Sequence, residues 1–379
     1  MFRLASAQIW PLLTPLHEPI RMSFGFMQAR PSLLLQLVDE DGVEGWGEAW
    51  VNFPHWALAE RTLVLHNLLK SHLHDLTDPS TITDIRHRFS IEVIQSGSFG
   101  AFYHALSAIE LALWDLKAKK ERLPLRNLLL EPDGNPAMSV PVYASGIGPN
   151  EAVSKVEQAV QDGFVAAKIK VGFVPEEDHR RFRQVQRVDG ITVAMVDANQ
   201  AWTVEEASKE LAFYEEAQAG WVEEPIFAWD FSGYTRLGEQ FSRMAAGENW
   251  YLEHSALSQS IRLKALQPDL CKIGGIQAAK SFLSDNQAAD WVAFHVLSGP
   301  IAQTAALQVA SAWYPKVKWV EVDRNENAIR SAFRPAWTLS EGRARLTDQA
   351  GLGIEVDTAR LGNFVAPELR MYHDVIHSD

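Results

Sequence analysis

The chain has 379 residues and a formal net charge of −13 at pH 7, and this acidic total argues against nucleic acid as a partner, because phosphate binding needs clustered Lys and Arg. The length suffices for a full (β/α) barrel together with a second domain. No apolar run is long enough to cross a membrane, and the N-terminus lacks a secretory signal. The single cysteine, Cys271, excludes an intrachain disulfide framework. We therefore expect a cytoplasmic protein.

Residues 1–125 predict an α+β domain, because strands come first and helices follow them without alternation. The run LLLQLVDEDGVEGWGEAW predicts two antiparallel strands joined by a tight turn at Asp41–Gly42. Further along, residues 101–119 predict a strongly amphipathic helix. The tail, residues 325–379, carries short strand-like pieces around RARLTD and LGIEVD, which we expect to pack back on this first domain.

Residues 126–324 predict a barrel, in which strict alternation of strands and helices begins with VPVYAS and ends near Glu321. Short apolar runs within this region end in charged or ionisable residues that recur about every 25 positions, the length of one strand, one helix and two loops. That period is typical of a (β/α) barrel, whose chemistry lies where the strands run out into their C-terminal loops. The strand-end residues are Lys168, Lys170, Asp197, Glu223, Glu248, Asp269, Lys272, His295 and Glu321.

Asp197, Glu223 and Glu248 are spaced as the ends of three consecutive strands. Three converging carboxylates repel one another unless a hard divalent cation neutralises them, and oxygen-only ligands favour Mg²⁺, with Mn²⁺ as a substitute. The capping-box signature at 203–206 places Asp197 on a strand-to-helix loop. Taken singly, each acid is better explained as a helix N-cap or a surface charge, whereas three in register, each closely following a short apolar run, favour a shared site. Glu224 is an alternative ligand to Glu223, because neighbouring side chains on a strand point in opposite directions.

Lys168 and Lys170 flank Ile169 on a predicted strand, so their side chains share one face, here the barrel interior. Two interior ammonium groups lower each other's pKa, which allows a lysine to act as a base near pH 7. The shift needed is roughly three units, and we expect a second cation and Mg²⁺ to supply it. The competing interpretation is an exposed edge strand with solvated lysines, which fits poorly inside an alternating pattern of buried strands.

His295 ends the run WVAFH, and Asp269 lies one strand–helix unit earlier. A carboxylate on a neighbouring strand would orient the imidazole and raise its basicity, which gives a second general acid or base on the far side of the pocket. Glu321 ends the last run and would donate a hydrogen bond to a substrate carboxylate if its pKa were raised. A structural histidine and a surface glutamate are the competing interpretations.

The sequence contains no GxGxxG that opens a helix, no P-loop, no HExxH and no GxSxG. Their absence argues against dehydrogenases, kinases, zinc proteases and serine hydrolases. A barrel that has lost catalysis and serves as a binding protein is an interpretation from a different class. Replacement of Lys170, Asp269, His295 or a metal ligand by a residue without the needed functional group would favour this binding protein, and the sequence shows no such replacement.

The ordered series of motifs resembles the enolase superfamily, in particular the mandelate racemase/muconate lactonizing enzyme family and, within it, the mandelate racemase subgroup. The resemblance covers nearly the whole chain, through DGVEGWGEAW, ALSAIELALWDLKAK, KIKVG, VDANQAW, VEEP, GENW, PDLCKIGG, EVDRNENAIR and QAGLGIEVD. It implies an α/β fold, a modified (β/α)7β TIM-like barrel with an N-terminal α+β capping domain that the C-terminal tail completes. It also implies a homo-oligomer and an essential Mg²⁺ bound by Asp197, Glu223 and Glu248.

The same resemblance implies that Lys170 is the base of the Lys-x-Lys motif, while Lys168 tunes it and contacts the substrate carboxylate. Members of the muconate type carry lysine at the position of Asp269. Aspartate there, together with His295, favours the His–Asp dyad of the racemase type.

Other positions matched by the resemblance contact the substrate. Glu321 matches the electrophilic acid and Asn199 a substrate-contacting position, and Lys272 is a further candidate for substrate binding. Specificity is expected from two mobile loops of the capping domain, about 17–30 and 49–57. In these loops Arg21, Arg30, Asn52 and His55 would bind hydroxyls or a distal carboxylate, whereas Phe24, Phe26, Phe53 and Trp56 would form an apolar wall.

The implied chemistry is abstraction of the proton α to a carboxylate, with Mg²⁺ and Glu321 stabilising the enediolate. The small-molecule substrate is expected to be a sugar acid, an aldonate or aldarate, that is dehydrated to a 2-keto-3-deoxy acid. The segments EEDHR, PDLC and EVDRNENAIR also resemble cycloisomerases of sugar-acid lactones. Racemisation or epimerisation of a 2-hydroxy acid is the third possibility for the same pair of bases.

Overall fold

The computed structural model of the protein describes residues 2–378, apart from the side chains of Ser90 and Glu92. The predicted domain ends at Met1 and Asp379 lie outside the described residues. An antiparallel sheet with helices precedes a barrel of parallel strands. Within residues 2–378, no helix combines the length and the apolar character that crossing a membrane requires.

The N-terminal region is built on a four-stranded antiparallel sheet that helices follow. The predicted turn at Asp41–Gly42 is confirmed, because Gly42 has φ +79° and its N–H donates to the carbonyl of Asp39 at 3.0 Å. Glycine adopts this left-handed conformation without strain. The elements are β1 (Leu4–Met22), β2 (Gly25–Asp39), β3 (Glu44–Ala49), α1 (Ala57–His72), α2 (Thr81–Arg88), α3 (Ser90–Ser96), α4 (Phe99–Lys120) and α5 (Leu125–Leu128).

Helix α4 is buried on nearly every face, so the prediction of an amphipathic helix is wrong. One side packs so closely on β3 that a Cβ atom at Gly47 would lie 1.9 Å from the carbonyl oxygen of Ala108. The other side contacts the barrel, where Glu110 accepts a hydrogen bond from the N–H of Gln277 at 3.0 Å. A helix enclosed by two layers has no solvent face, and its sequence therefore loses the polar stripe of a surface helix.

The segment 17–30, predicted as a mobile loop, is instead the tip of the β1–β2 hairpin. Strand pairing continues to the end of the hairpin, where Met22 lies opposite Gly25. Near the tip the pairing is irregular between Pro15 and Ile20, where prolines cannot donate to the ladder. The second predicted loop corresponds to residues 50–56, which connect β3 to α1.

Eight parallel strands close into a barrel, because β11 pairs with β4 as well as with β10. Seven helices connect them, which confirms the predicted (β/α)7β fold. The predicted capping box is also present, since the Thr203 side chain accepts from the N–H of Glu206 at the start of α8. The elements are β4 (Ser139–Ile147), α6 (Ala152–Gln161), β5 (Ala166–Lys170), α7 (Pro175–Val185), β6 (Val193–Asp197), α8 (Val204–Glu216), β7 (Val222–Glu223), α9 (Phe231–Gly238), β8 (Met244–Ala246), α10 (Ser255–Ser258), β9 (Leu263–Leu266), α11 (Ile276–Asp285), β10 (Ala289–Phe294), α12 (Pro300–Ala312) and β11 (Val317–Asp323).

A layer of apolar side chains fills the lower part of the barrel. Tyr143, Met195 and Trp221 form it together with alanines from the other strands, and all are buried. Side chains on a strand alternate between the two faces, so the residues two positions further along β6 and β7, Asp197 and Glu223, also point into the barrel. The apolar layer therefore supports a charged layer above it.

The C-terminal segment divides between the two regions. Its last strand pairs with β1, with Ile376 opposite Ala7. The hairpin that contains RARLTD instead pairs with β4, with Ala344 opposite Val140, so the prediction that it packs on the first domain is wrong. The first residues of β4 lie before the point where β4 begins to pair with β11 and β5. The hairpin pairs with these residues, whose backbone groups would otherwise form an open strand edge. The elements are β12 (Phe333–Arg334), β13 (Trp337–Ser340), β14 (Arg343–Leu346), β15 (Glu355–Val356), α13 (Thr358–Leu361) and β16 (Ile376–His377).

Candidate active site

The charged residues predicted at strand ends converge at one end of the barrel. Lys170, Asp197 and Glu223 are the last residues of β5, β6 and β7. Glu248 lies two residues beyond β8, and His295 directly follows β10. Because all eight strands are parallel, their C-terminal ends meet at the same rim, as the sequence period predicts.

Each of the three predicted metal-binding carboxylates contacts a lysine. The Nζ atom of Lys168 lies 2.5 Å from Oε1 of Glu223, and Nζ of Lys170 lies 2.7 Å from Oδ2 of Asp197. In the third pair the Nζ atom of Lys272 lies 2.6 Å from Oε2 of Glu248. All three carboxylates are buried, so these ion pairs are formed largely away from solvent.

The two barrel lysines have pKa values above, not below, the ordinary value. Burial acts to lower the pKa of Lys168, but Glu223 and Glu321 outweigh it. Burial likewise acts to lower the pKa of Lys170, and the carboxylate of Asp197 outweighs both that and the repulsion from Lys168. The protein's own carboxylates therefore reverse the predicted mutual depression of the two pKa values.

The chemistry of the three carboxylates fits a hard divalent cation. Burial raises the pKa of Glu223 to about 7 despite Lys168, and the neighbouring Asp197 adds to the rise. Oxygen donors under mutual repulsion are the ligands that Mg²⁺ prefers. Among residues 2–378, no three Asp, Glu, His or Cys side chains are grouped closely enough to enclose a metal ion, and ammonium groups contact the carboxylate oxygens instead. A divalent cation would compete with these lysines for the same oxygens.

His295 and Asp269 form the predicted dyad. Nδ1 of His295 lies 2.7 Å from Oδ2 of Asp269, and Nε2 lies 3.1 Å from Oε2 of Glu248. Burial acts to lower the pKa of His295, but Glu248, Glu321 and Asp269 raise it to about 9. The imidazole is therefore protonated near neutral pH among these groups, which suits a proton donor.

Glu321 is bound by its neighbours as a hydrogen-bond acceptor. Its Oε1 lies 3.0 Å from Nζ of Lys168, and its Oε2 accepts from the N–H of Val296 at 3.0 Å. Sequence analysis suggested a protonated carboxyl group that donates to a substrate. In the structure both oxygens instead contact donors of the protein itself.

Two adjoining cavities open over the rim of strand ends, and Lys170, His295, Met22 and Leu297 line both of them. The first has a volume of about 540 Å³ and the second about 600 Å³. Met22 comes from the tip of the β1–β2 hairpin, and Leu297 comes from the loop after β10. The four residues thus mark the position where the two cavities meet.

The two cavities differ in their walls. The first combines apolar residues, among them Pro19, Ile20, Ile147 and Pro149, with hydrogen-bonding side chains, among them Glu18, Arg21, Asn150, Lys155, Gln158, Arg324 and Asn325, and no Phe, Trp or Tyr of the described chain lines it. The second combines polar groups of the rim, among them Asn199, Glu224, Glu248 and Lys272, with Phe24, Met27, Trp50, Phe53 and Phe227.

The predicted substrate-binding residues occupy different positions. Asn199 lines the second cavity and accepts a hydrogen bond from Lys170 at 2.7 Å, and Lys272 lines the same cavity. Arg21 lines the first cavity, with its guanidinium 5.3 Å from the ring centre of Phe173. Neither cavity is lined by Asn52, which is buried, or by His55, which is exposed. Arg30 is also buried away from both cavities.

Some residues of the site were missed or left open by sequence analysis. Glu224 lines the second cavity, held by Asn249 at 2.8 Å, whereas Glu223 points to Lys168 inside the barrel. Gln267 donates a hydrogen bond to Glu223 and is fully buried. It follows the last residue of β9, and strand alternation could have placed it in the barrel interior.

Comparison with known proteins matches both regions of the chain to families. The N-terminal domain of the "Mandelate racemase / muconate lactonizing enzyme" family matches residues 5–129. The "Enolase C-terminal domain-like" family matches residues 151–360, which include the whole catalytic rim.

Among curated proteins, the chain is 29% identical to the D-galactarolactone cycloisomerase of Agrobacterium fabrum, over 89% of this chain and 92% of the relative. It is 30% identical to the L-talarate/galactarate dehydratase of Salmonella typhimurium, over 85% of this chain and 79% of the relative. Among solved structures, a variant L-talarate/galactarate dehydratase liganded with Mg and L-glucarate has a TM-score of 0.82 and 25% identity, and the match covers 96% of this chain and 92% of that one. With more than half of its length matched, the chain belongs to the mandelate racemase/muconate lactonizing enzyme family of the enolase superfamily.

Proposed function

We propose that this protein removes the proton α to the carboxylate of a sugar acid, an aldonate or aldarate, and eliminates the β-hydroxyl to give a 2-keto-3-deoxy acid. The observation that carries this proposal is that Lys170 and His295 line the same two cavities. A proton acceptor and a proton donor can thus reach one substrate. Dehydratases and cycloisomerases of sugar acids among the relatives support the same substrate class.

Asp197, Glu223 and Glu248 would hold Mg²⁺, which neutralises negative charge on the substrate carboxylate and so lowers the energy of the transition state for proton loss. Support comes from their all-oxygen chemistry, from their burial and from the Mg bound by a relative. Glu224 is held by Gln200 and Asn249 rather than by a lysine, and we assign it no ligand role.

The proposed proton transfers use residues of this chain. Nζ of Lys170 takes the α-proton as the C–H bond breaks. This step needs the neutral amine, which would be favoured once a bound cation offsets the charge of Asp197 that raises the pKa of Lys170. The electron pair forms the C2–C3 double bond while the bond from C3 to the hydroxyl oxygen breaks, and Nε2 of protonated His295 supplies the proton that completes a water molecule. The resulting enol then becomes the 2-keto group. Asp269 holds the imidazole through Nδ1 at 2.7 Å, and Lys168 offsets the charge of Glu223 and Glu321.

The polar wall of the first cavity supports a polyhydroxylated substrate over an aromatic one. Two cations of that wall, Arg21 and Lys155, form no ion pair among the described residues. Both residues are exposed at the cavity mouth, and a second carboxylate at the far end of the substrate would form charge-assisted hydrogen bonds with them. This favours an aldarate over an aldonate.

A lactone cycloisomerase is the second candidate, favoured by the relative from Agrobacterium fabrum that matches almost the whole chain. It would use the same two residues, since β-elimination of a ring oxygen also needs a base at the α-carbon and a proton donor at the leaving oxygen. Racemisation or epimerisation would follow if the proton lost to one residue were replaced by the other.

The test is a panel of aldonic and aldaric acids and their lactones, incubated with the protein and Mg²⁺ in D₂O and followed by proton NMR. A new 3-deoxy-2-keto signal from an acid establishes the dehydratase and names its substrate. Deuterium uptake into an unchanged skeleton indicates racemisation, and loss of a lactone alone indicates the cycloisomerase. If no acid or lactone reacts, the proposal is wrong.

A further inference from the structure

The loop that follows His295 is held through its backbone by charged side chains. The N–H of Val296 donates to Glu321 at 3.0 Å, and the carbonyl of Leu297 accepts from Arg30. The N–H groups of Gly299 and Ala302 donate to the two oxygens of Glu48, at 2.5 and 2.9 Å. Two of the three side chains that hold this loop, Arg30 and Glu48, belong to β2 and β3 of the capping domain.

Glu48 fits so closely against the start of α12 that a side chain at Gly299 would displace it. A Cβ atom at Gly299 would lie 2.6 Å from Oε1 of Glu48. The carboxylate is almost fully buried, and the N–H groups of Ala302 and Gly299 offset part of the burial that raises its pKa. Such a placement satisfies donors that a helix N-terminus otherwise leaves unpaired.

Arg30 joins the same loop to the last barrel strand. Its Nη2 atom donates both to the carbonyl of Leu297 and to Oδ2 of Asp323, the latter at 2.8 Å. The guanidinium is buried, and its Nε and Nη1 atoms have no partner among the described residues. Leu297 itself lines both cavities, so Arg30 fixes a residue in contact with the space that the substrate would occupy.

The two catalytic residues are therefore supported differently. Lys170 lies within β5 and pairs with Asp197 in the barrel ladder. His295 lies beyond the last pair between β10 and β11, which joins Phe294 to Val320. Its own N–H donates to the carbonyl of Pro268 at 3.2 Å, and the next residue is held by Glu321 of the barrel. From Leu297 to Ala302 the backbone is held by Arg30 and Glu48.

We propose that Glu48 and Arg30 are positioning residues for His295, so that the capping domain fixes one of the two catalytic groups as well as covering the substrate. The inference rests on the proposed function in one respect, namely that His295 exchanges protons with one face of the α-carbon. Lys170, held by the barrel alone, serves the other face. Substitution of Glu48 should therefore slow proton exchange at the face of the α-carbon that His295 serves and leave exchange at the Lys170 face nearly unchanged.

The decisive variant is Glu48→Gln in the full chain with Mg²⁺. An amide offers one acceptor oxygen, and its NH₂ group faces an N–H donor, so Gly299 and Ala302 cannot both be satisfied. The probes are pairs of acids that differ only at C2, D-gluconate with D-mannonate and D-glucarate with D-mannarate. Exchange of their α-protons in D₂O is expected to fall 10- to 100-fold for the His295 face and to change less than about twofold for the Lys170 face.

Amide hydrogen exchange provides a readout that needs no turnover. In Glu48→Gln the peptide that spans 296–303 should exchange about tenfold faster than in the wild type. The matched control is Glu110→Gln, since Glu110 is also a buried carboxylate of the capping domain that accepts from the start of a barrel helix, at the N–H of Gln277. That control should accelerate exchange near 276–280 and leave 296–303 unchanged.

Equal losses on both faces, or unchanged amide exchange at 296–303, would overturn the inference. If Glu48→Gln does not fold, Gly299→Ala tests the same contact, because the added methyl displaces Glu48 while keeping its charge. A wild type that exchanges no α-proton with any of the four acids would count against the proposed function with these substrates. The amide-exchange measurement would still support or overturn the positioning role.

Discussion

Nδ1 of His295 lies 2.7 Å from Oδ2 of Asp269, while Nε2 on the opposite side of the ring lies 3.1 Å from Oε2 of Glu248. The carboxylate of Asp269 thus holds the proton on Nδ1, and Nε2 is the nitrogen left to exchange protons with a ligand. Oδ1 of Asp269 in turn accepts from the N–H of Cys271 at 2.7 Å. The dyad is therefore anchored on the loop after β9.

Asp269→Asn should lower the turnover of substrates that need His295 by about 10²- to 10⁴-fold, because an amide can present its NH₂ group to Nδ1 and favour the wrong tautomer. Exchange at the Lys170 face should change little. The rates are measured by α-proton exchange in D₂O with acids that are epimeric at C2. Asp290→Asn, at an exposed ion pair with Lys264, is the matched control. Equal loss on both faces would contradict the assigned role.

Lys170→Ala and His295→Asn should each abolish exchange at one face of the α-carbon without weakening Mg²⁺ binding, since neither residue is a proposed ligand and loss of Lys170 removes a competitor for Asp197. The reason is that the two side chains approach the same cavities from different strands, β5 and the end of β10. Exchange and Mg²⁺ binding are measured on the same preparations, the latter by titration calorimetry. Unchanged exchange in both variants would exclude the two-residue mechanism.

The fold and the catalytic rim followed from sequence, because strand ends that recur at a fixed period must meet at one edge of a parallel barrel. Lys170, Asp197 and His295 could be placed in this way without any long-range contact. The role of Glu48 could not, since its partners Gly299 and Ala302 lie about 250 positions away and no local pattern marks an interdomain contact of this kind.

Two other features escaped sequence analysis for similar reasons. The resemblance to the family implies a mobile loop at 17–30, whereas pairing of β1 with β2 continues from Met22 to Gly25. The rise in the pKa values of Lys168 and Lys170 depends on how many carboxylates surround them. Spacing along the chain indicates that two lysines share a face but does not fix the balance of neighbouring charges.

Asp197→Asn should weaken Mg²⁺ binding by at least about tenfold, because a neutral amide replaces one of three proposed carboxylate ligands. Titration calorimetry at constant ionic strength measures the affinity directly. Glu224→Gln is the matched control, since Glu224 lies on the same rim but contacts Gln200 and Asn249 rather than a lysine. A normal titration for Asp197→Asn, or an equal loss for Glu224→Gln, would require a different set of ligands.

Lys155→Met should raise the KM for an aldarate about tenfold with little change in kcat, because it removes a charge that contacts the substrate far from the reacting carbon. The KM for the corresponding aldonate should not change. Lys155→Arg keeps the charge and should behave like the wild type. Equal effects on the two acids would show that Lys155 does not recognise the second carboxylate.

Glu110→Gln should change how stability depends on pH. Burial raises the pKa of Glu110 to about 7 from an ordinary value of 4.5, although it accepts from the N–H of Gln277 and from Nε1 of Trp114. A carboxyl group whose pKa is higher in the folded state binds more protons there. Its contribution to stability is therefore complete below about pH 4.5 and is lost as the pH rises through 7.

The free energy of unfolding, measured by urea denaturation from pH 5 to pH 8, should fall for the wild type relative to Glu110→Gln by about 2 kcal/mol over this range. Glutamine does not titrate, so the difference between the two proteins isolates this one group from the other carboxylates. Glu206→Gln serves as the control, because Glu206 is exposed and its hydrogen bonds to Thr203 hold its pKa below the ordinary value. Stability due to Glu206 is present above its unfolded pKa and is lost only as the pH falls, so this control should show no such decline. A difference that stays constant from pH 5 to pH 8 for Glu110→Gln would mean that Glu110 titrates as it does in the unfolded chain.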